Sequence, residues 1–198
     1  MTAAATIMAE NPKLHELADD ERVTHLRLLR SENVGPITYH QLIARYGTAS
    51  AALDALPSLV RRGSRSTLCI TSHREARDEL AALKRTGARL LTHGERLYPD
   101  SLAAMPDAPP LISIKGNADL LRRPTVAMVG ARNASDAGLR FARTLAAELG
   151  EAGFAVVSGL ARGIDTTAHT GAMEFAMIAV LAGGIDSVYP PENDILQS

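Results

Sequence analysis

The periodicity of apolar positions changes near residue 87 of the chain. Before that point apolar residues recur every three or four positions, as on one face of a helix, and Gly- or Pro-containing turns separate the segments. After it come short runs of Val, Ile, Leu, Met and Ala, which is the pattern of strands buried in a parallel sheet. The pattern predicts a flexible terminus over residues 1–18, a small helical domain over residues 19–86 and an α/β domain over residues 87–198.

Four helices are predicted in the first domain, and the turn between the first two could contact nucleic acid. The segment Asn33–Thr38 resembles the hairpin of a helix-hairpin-helix or SAM-like module, where backbone N–H groups can hold a DNA phosphate. Gly35 stands alone where that hairpin has two glycines, so an ordinary helix turn is the favoured interpretation. A solvated charge run is likewise favoured for Arg61–Arg65. The first predicted helix is capped by Asp19 or Asp20. The others run from Thr38 to Tyr46, from Ser50 to Leu56, where Pro57 closes the helix, and from Arg74 to Arg85.

Three strands are predicted in the second domain, at the spacing of a strand-helix-strand-helix-strand unit. Ser135 or Asp136 is expected to cap the first connecting helix, and Asp165 the second, which extends through Glu174. Two earlier runs, Ala88–Thr92 and Leu111–Lys115, are expected to add strands to the same sheet. The predicted fold class is α/β, a Rossmann-like parallel sheet, incomplete at its C-terminal end, behind a small all-α SAM-like or helix-hairpin-helix domain. The three strand runs are Thr125–Gly130, Phe154–Gly159 and Ala176–Gly183.

The loops that follow these strands are the candidate functional site, because the carboxyl ends of parallel strands form the ligand crevice of an open sheet. Arg132 stands where a dinucleotide-binding turn has its second glycine, so the close approach of a pyrophosphate, and hence NAD, is disfavoured. Together with Arg162 it offers charged forks to phosphate groups. The candidate DNA-binding residues are Gly130, Arg132, Asn133, Ser135, Ser158, Gly159, Arg162, Gly163, Gly183 and Gly184.

No catalytic role is predicted for the other ionisable side chains near these loops. Asp165 is interpreted as a helix cap, since a cap explains its position. His169 is interpreted as a helix-surface or sheet-packed histidine, because no nucleophile or carboxylate has a defined geometry with it. The loops are therefore expected to hold a phosphate-bearing ligand rather than to transform it, with no metal and no cofactor.

The amino-acid composition excludes some classes of binding partner. The net charge of −1 over 198 residues excludes a generally polycationic nucleic-acid binder and leaves a local basic patch. Aromatic residues make up 4% of the chain and Trp is absent, so stacking of bases on a platform of rings is disfavoured. The single cysteine, Cys69, and the lack of an apolar run of about 18 residues favour a cytoplasmic protein that does not enter a membrane.

Several motifs in the second domain resemble the DprA/Smf family. They are Gly130–Ser135, Ser158–His169 and Ile178–Glu192, and the resemblance extends upstream through Met105–Asn117 and Tyr98-Pro99 to cover roughly Leu26 to Glu192. It implies a bacterial cytoplasmic protein, a homodimer when full length, that binds single-stranded DNA and helps to load the RecA recombinase onto it in natural transformation. This chain departs from the family in the short connection between Glu174 and Ile178, and the family's fold continues beyond Ser198.

Two other functions remain open. An enzyme of the nucleoside-phosphoribohydrolase type is similar at its Ser-Gly-x-x-x-Gly loop, although the Pro-Gly-Gly-x-Gly-Thr-x-x-Glu motif of a later strand is absent here. A nucleotide-binding or scaffolding Rossmann-like domain would need only the glycine loops and accounts less well for Arg132.

Overall fold

The computed structural model describes residues 16–60 and 69–185, which form two compact units. The helical unit contains the residues up to Ala76 together with Thr92–Leu111, and the sheet unit contains Arg77–Leu91 together with the residues from Ile112 onward. The predicted domain boundary after residue 86 stays a prediction. The charge run at residues 61–65 and most of the predicted flexible terminus lie outside the described residues.

Local capping chemistry decides where the helices begin. At the first helix the N-cap is Ala18, so the prediction of Asp19 or Asp20 as the cap is wrong. Both aspartates instead lie in the first turn, where the helix dipole favours negative charge, and Glu21 accepts a hydrogen bond from the Ala18 N–H at 3.0 Å. The helices of the first half are α1 (Asp19–Arg30), α2 (Pro36–Tyr46), α3 (Ala49–Val60), α4 (His73–Arg85) and the single turn α5 (Asp100–Ala103).

The third helix continues through Pro57, so the prediction that this proline closes it is wrong. The proline ring removes one backbone N–H from the helix. Leu56 is nevertheless buried in the core of the helical unit, and Leu59, after the proline, packs against the same core, which favours continuation of the helix.

The second and fourth helices each begin at a local signal in the sequence. Asn33 has a φ of 62°, so it supplies the left-handed conformation for which a second hairpin glycine would otherwise serve, and Gly35 is the N-cap of α2. Ser72 and Glu75 form a reciprocal capping box at the start of α4. The carboxylate of Glu75 accepts from the Ser72 N–H at 2.8 Å, and the Ser72 hydroxyl accepts from the Glu75 N–H at 3.2 Å. This box places the start of α4 at His73, one residue before the predicted start.

The interior of the helical unit combines an apolar core with buried polar contacts. Arg22 of α1 pairs with Glu95 at 2.9 Å, and the second carboxylate oxygen of Glu95 accepts from the Thr92 N–H, also at 2.9 Å. A series of five rings, here called the ring series, comprises His25, Tyr39, His40, His93 and Tyr98, with neighbouring centroids 4.9 to 6.1 Å apart. The apolar core comprises Leu28, Val34, Tyr39, Leu42, Ala49, Ala52, Leu53 and Leu56.

The strands form two separate sheets. In the first, β1 (Arg89–Thr92) pairs with β2 (Leu111–Ile114). In the second, β3 (Thr125–Ala127), β4 (Ala155–Ser158) and β5 (Met177–Ala179) lie parallel in that order. The expectation that the first two runs add strands to the parallel sheet is therefore wrong. The chain reverses between them and brings β1 beside β2, and the His93 N–H donates to the Pro110 carbonyl at 2.8 Å just beyond the pair.

Two helices connect the parallel strands as predicted. α6 (Asp136–Glu151) follows β3 and α7 (Ile164–Ala172) follows β4. Small residues let these helices approach each other closely, since a Cβ on Gly171 of α7 would lie 2.4 Å from the Arg143 carbonyl oxygen of α6. Both helices pack against β4, which is the arrangement that successive parallel crossovers produce. The core of the sheet unit comprises Met128, Ala142, Ala146, Val156, Ala168 and Ala172.

The short connection from α7 to β5 needs no glycine. α7 ends at Ala172 rather than at the predicted Glu174, and Met173 closes it in an ordinary right-handed conformation with φ −57°. The Phe175 N–H then donates to the Ala172 carbonyl at 2.9 Å. The side chain of Phe175 covers Gly150 of α6, where a Cβ would come within 2.6 Å of the ring. Packing against α6 therefore replaces the glycine turn. Among the described residues, no helix has both the length and the apolar character to cross a bilayer.

Candidate functional site

The loops after β3, β4 and β5 meet at one edge of the parallel sheet, which we call the loop edge. It comprises residues 128–135, 159–163 and 180–185. The N–H of Ile164 donates to the Ala131 carbonyl at 3.2 Å and joins the first loop to the second. The N–H of Val180 donates to the Ser158 carbonyl at 2.8 Å and joins the third loop to β4. The three loops therefore form one surface, as the strand order predicts.

Two of the predicted glycines are required by the close approach of the first two loops. Gly163 has a φ of +81°, and a Cβ there would lie 2.3 Å from the Ala131 carbonyl oxygen and 2.6 Å from that of Arg132. A Cβ on Gly130 would lie 2.7 Å from a side-chain carbon of Ile164. Side chains at these positions would push the loops apart, so the glycines set the spacing between the two arginine-bearing segments.

The backbone of the second loop is held in an unusual conformation at Leu160. This residue has a φ of 54°, which is uncommon for a residue other than glycine, and its side chain is fully buried. The Ser158 hydroxyl accepts a hydrogen bond from the Leu160 N–H at 3.3 Å. Ser158 is itself buried, so it shapes the loop from beneath, whereas Gly159 is exposed above it.

Asp165 holds the second loop in place and does not cap α7. The N-cap of that helix is Gly163, and Asp165 lies in its first turn, so the predicted cap role is wrong. Its carboxylate instead accepts a hydrogen bond from the Gly159 N–H at 3.1 Å. The side chain is buried, at 6% exposure. Asp165 therefore ties the first exposed glycine of the loop to the helix that follows it.

His169 lies one turn further along α7 and is buried, at 1% exposure. This agrees with its interpretation as a packed histidine. Burial lowers the pKa of His169 below the usual value, while the carboxylate of Asp165 and the carbonyl of Ser158 act in the opposite direction. Neither ring nitrogen has a hydrogen-bond partner of regular geometry in the described part of the chain.

The polar side chains predicted at the first loop all face solvent. Arg132, Asn133 and Ser135 are exposed, and so is Arg162 of the second loop. Ser135 is the N-cap of α6, as predicted, and its hydroxyl oxygen accepts from the Gly138 N–H at 3.3 Å. Its hydroxyl proton stays available to a ligand. Within residues 16–60 and 69–185, the guanidinium of Arg132 makes no hydrogen bond or ion pair.

The third loop contributes exposed backbone. Gly183 and Gly184 are both exposed, and they follow Val180 along the loop. A Cβ on Gly159 would lie 3.9 Å from the Val180 carbonyl oxygen, so the second and third loops run close together at this point. The described residues end at 185, just after these glycines.

The loop edge has the chemistry of a site for a singly charged anion. Two exposed arginines can each present a planar fork to a phosphate, and the N-terminus of α6 adds backbone N–H groups and a partial positive charge. The exposed carboxylate of Asp136 and the buried one of Asp165 oppose them. Sequence reasoning missed the tie between Asp165 and Gly159 and the conformation of Leu160, since neither has a recognisable local pattern.

Family models match both halves of the chain. The model described as DNA recombination-mediator protein A matches residues 89–198, and the DprA-like N-terminal HHH domain matches residues 19–82. Among curated relatives, the DNA processing protein DprA of Streptococcus pneumoniae is 47% identical over 72 residues, which cover 36% of this chain and 25% of that protein. Protein Smf of Synechocystis is 30% identical over 165 residues, which cover 78% of this chain and 42% of that protein. The chain thus spans less than half the length of these relatives.

Solved structures agree with the family models. The X-ray structure of DNA processing protein A from Streptococcus pneumoniae matches with a TM-score of 0.65 and 29% identity, over 92% of this chain and 64% of that one. The DNA processing protein A of Helicobacter pylori, whose structure is described as showing a single-stranded DNA binding mode, matches with a TM-score of 0.50 and 28% identity. That match covers 56% of this chain and 50% of the other.

Proposed function

This chain belongs to the DNA recombination-mediator protein A family, and on that premise we propose that it binds single-stranded DNA through the phosphate backbone at the loop edge. The observation that carries the proposal is the position of Arg132. Its exposed guanidinium lies in the first loop, next to the N-terminus of α6 and in backbone contact with the loop of Arg162.

A backbone ligand fits this surface better than a base-specific one. Arginine forks, a serine hydroxyl and helix N–H groups all recognise phosphate oxygens, which are the same for every sequence. Aromatic residues make up 4% of the chain, so few rings are present on which bases could stack. The ligand is therefore a single strand held without preference for its sequence.

The loop edge is assigned a binding role and no catalytic one. Of the two carboxylates beside it, that of Asp165 is engaged with the Gly159 N–H and that of Asp136 lies in the first turn of α6. His169 is buried, and neither of its ring nitrogens makes a regular hydrogen bond within the described residues. The edge thus offers groups that hold an anion in place.

The proposal predicts that Arg132→Ala weakens binding of all single strands alike. A charge-assisted hydrogen bond contributes about 1.5–3 kcal/mol, so the loss is expected to be roughly tenfold to a hundredfold. The dependence of log affinity on log salt concentration should fall by about 0.7, the value for one phosphate contact on a single strand. Fluorescence anisotropy with labelled oligo-dT and mixed-sequence oligonucleotides measures both quantities. Arg132→Lys should restore part of the affinity, because it keeps the charge and loses the fork.

Arg123→Ala is the matched control, since Arg123 is exposed and precedes β3, at the opposite end of the strand from the loop edge. It should change affinity less than twofold. Unchanged binding in Arg132→Ala, or a loss confined to one base composition, contradicts the proposal. Competition by nucleoside monophosphates, or release of free base from them, would point instead to an enzyme of the nucleoside-phosphoribohydrolase type.

The wider role follows from the family. We propose that the full-length protein is a cytoplasmic homodimer that helps to load the RecA recombinase onto the bound strand during natural transformation. Light scattering of the full-length protein should give the mass of a dimer. Addition of that protein should shorten the lag before RecA hydrolyses ATP on oligo-dT, and Arg132→Ala should abolish the effect.

A further inference from the structure

His169 is a buried polar side chain that the binding role does not use. Buried polar atoms in proteins are nearly always hydrogen-bonded, and an exception calls for an explanation. His169 is 1% exposed, and neither of its ring nitrogens has a partner of regular geometry in the part of the chain that the structure describes. A neutral imidazole carries one N–H donor and one acceptor. The Ser158 carbonyl interacts with the ring only outside regular hydrogen-bond geometry, so at least one of the two groups is left without a partner among the described residues.

Two groups beside His169 favour an imidazolium, although burial opposes it. On its own helix the carboxylate of Asp165 favours the charged form, and from β4 the carbonyl of Ser158 does the same. Both are acceptors, so a second N–H on the ring would find a favourable neighbour. Burial outweighs them and lowers the pKa of His169, which keeps the ring neutral in the free protein at neutral pH.

The other charged side chains around His169 are exposed and lie on neighbouring elements. α6 packs against α7, and its ionisable side chains are exposed; β4 and β5 have none. In the adjoining loops Arg132 and Arg162 are also exposed. The charge nearest to the ring is therefore the buried carboxylate of Asp165. The exposed ionisable side chains of α6 are Asp136, Arg140, Arg143, Glu148 and Glu151.

The same carboxylate opposes an anion at the loop edge. The Gly159 N–H donates to the Asp165 carboxylate at 3.1 Å and ties it to the second loop. A buried negative charge beside a second negative charge is costly in a medium of low dielectric constant. One added proton on the adjacent ring would offset it.

We propose that His169 takes up one proton from solvent when a DNA phosphate occupies the loop edge, and that the imidazolium so formed compensates the charge of Asp165. This inference rests on the proposed function and deepens it. His169 is then a positioning residue, because it acts through Asp165 and the loop that Asp165 holds. No covalent bond other than the new N–H is formed.

Proton uptake on binding fixes the direction in which the affinity for single-stranded DNA changes with pH. The occupied site binds more protons than the empty one, so affinity for the strand rises as pH falls. One linked proton can change affinity by at most about tenfold per pH unit. In the protein without DNA the pKa of His169 is lowered, so only part of this change in affinity falls between pH 8 and pH 6. We expect the affinity to rise roughly threefold to tenfold over this interval.

The test is the affinity of the full chain for labelled oligo-dT between pH 8 and pH 6 at constant ionic strength. Thymine and phosphodiester groups do not titrate in this interval, so the ligand stays constant. We expect the unsubstituted protein and His73→Gln, a control at an exposed histidine of α4, to bind roughly threefold to tenfold more tightly at pH 6. The affinity of His169→Gln should change less than twofold between pH 8 and pH 6. Calorimetric titration of the unsubstituted protein with oligo-dT, in buffers of different ionisation enthalpy, should show proton uptake on binding. His169→Gln should show no such uptake.

Asp165→Asn provides an independent variant in case His169→Gln does not fold. Its amide oxygen can still accept from the Gly159 N–H, while the charge is gone. We expect binding to be tighter than that of the unsubstituted protein at pH 8 and nearly independent of pH. A pH-independent affinity of the unsubstituted protein, or a full pH response in His169→Gln or Asp165→Asn, overturns this inference alone. A failure of the unsubstituted protein to bind oligo-dT at any pH overturns the proposed function as well.

Discussion

In the helical unit Arg22 is buried in an ion pair with Glu95, whereas at the loop edge Arg132 and Arg162 are exposed to solvent. The carboxylate of Glu95 is satisfied on both oxygens, by the Arg22 guanidinium and by the Thr92 N–H. The same residue type is held in an interior ion pair in one unit and is exposed in the other, where the proposed function assigns it to phosphate binding. A cation paired in the interior is unavailable to a ligand, while one kept in solvent costs little to desolvate partly when a phosphate arrives.

The two units also differ in what fills the interior. Leucines and a series of rings fill the helical unit, while alanines and glycines separate α6 from α7 in the sheet unit. Large side chains tolerate small shifts by changing rotamer. Two backbone segments in direct contact cannot make such an adjustment. Substitution of a single glycine at such a contact in the sheet unit should therefore impair function.

The largest effect is expected for Glu95→Ala. It leaves the charge of Arg22 buried without its closest partner, and such losses cost about 3–5 kcal/mol of unfolding free energy. Exposed Glu16 and Asp19, at 3.7 and 3.9 Å from Arg22, recover a fraction of this. Chemical denaturation measures the change. Glu148→Ala, an exposed glutamate of α6, should cost less than about 0.5 kcal/mol. A loss below about 1 kcal/mol for Glu95→Ala would mean that the buried pair contributes little.

Gly163→Ala should separate the loops and reduce oligonucleotide affinity by more than about tenfold, or 1.4 kcal/mol. The new methyl group would overlap the Ala131 carbonyl oxygen, in addition to the strain of the positive φ. Gly153→Ala isolates the strain, because Gly153 has a φ of +89° and nothing within 4 Å of a Cβ. It should lower stability by roughly 1–2 kcal/mol and leave affinity unchanged. Equal affinities in the two variants would argue against contact between the loops.

The helical unit should lose stability in acid. His25 lies in the ring series, with its Nδ1 hydrogen-bonded to the Tyr39 hydroxyl, and burial lowers its pKa. Burial and the neighbouring His40 lower the pKa of His93 as well. Because the unfolded chain binds these protons more readily, stability is full above the usual histidine pKa of about 6.5 and falls as pH drops below it.

After solvent screening, the loss attributable to His25 is expected to be at most about 1 kcal/mol between pH 7.5 and pH 5.5. Thermal unfolding followed by circular dichroism measures it, and His25→Gln should reduce the slope. The opposite slope, with greater stability in acid, would show that Glu21 and Glu95 outweigh burial at this ring.

The smallest effect is expected for Gly35→Ala at the hairpin before α2. Gly35 has a φ of −89° and nothing within 4 Å of a Cβ, so alanine fits without strain. If the helical unit is accessory to binding, affinity for oligo-dT should change less than threefold in Gly35→Ala, against the larger loss in Arg132→Ala. A tenfold loss would instead place a phosphate contact at the hairpin and assign DNA binding to both units.

Local patterns in the sequence were enough to predict the α/β fold class, the order of the longer helices and of the strands, and the family, but not the single turn α5. Ser135 as a cap and the three glycine-ended strands are short-range signals, since each depends on hydrogen bonds or burial within a few residues. The meeting of the loops follows from parallel strand order alone. Resemblance to the DprA/Smf family, carried by the long loop motifs, agrees with the family models.

Tertiary structure decided what depends on contacts between distant segments. The pairing of β1 with β2, the continuation of α3 through Pro57 and the glycine-free turn at Phe175 each come from packing partners elsewhere in the chain. Asp165 has the sequence position of a helix cap, yet its carboxylate bonds to Gly159 because the second loop folds back over α7. The physical reason is the separation along the chain of the groups that interact. A local pattern indicates which hydrogen bonds a side chain can make, whereas the tertiary fold determines which partner lies within reach.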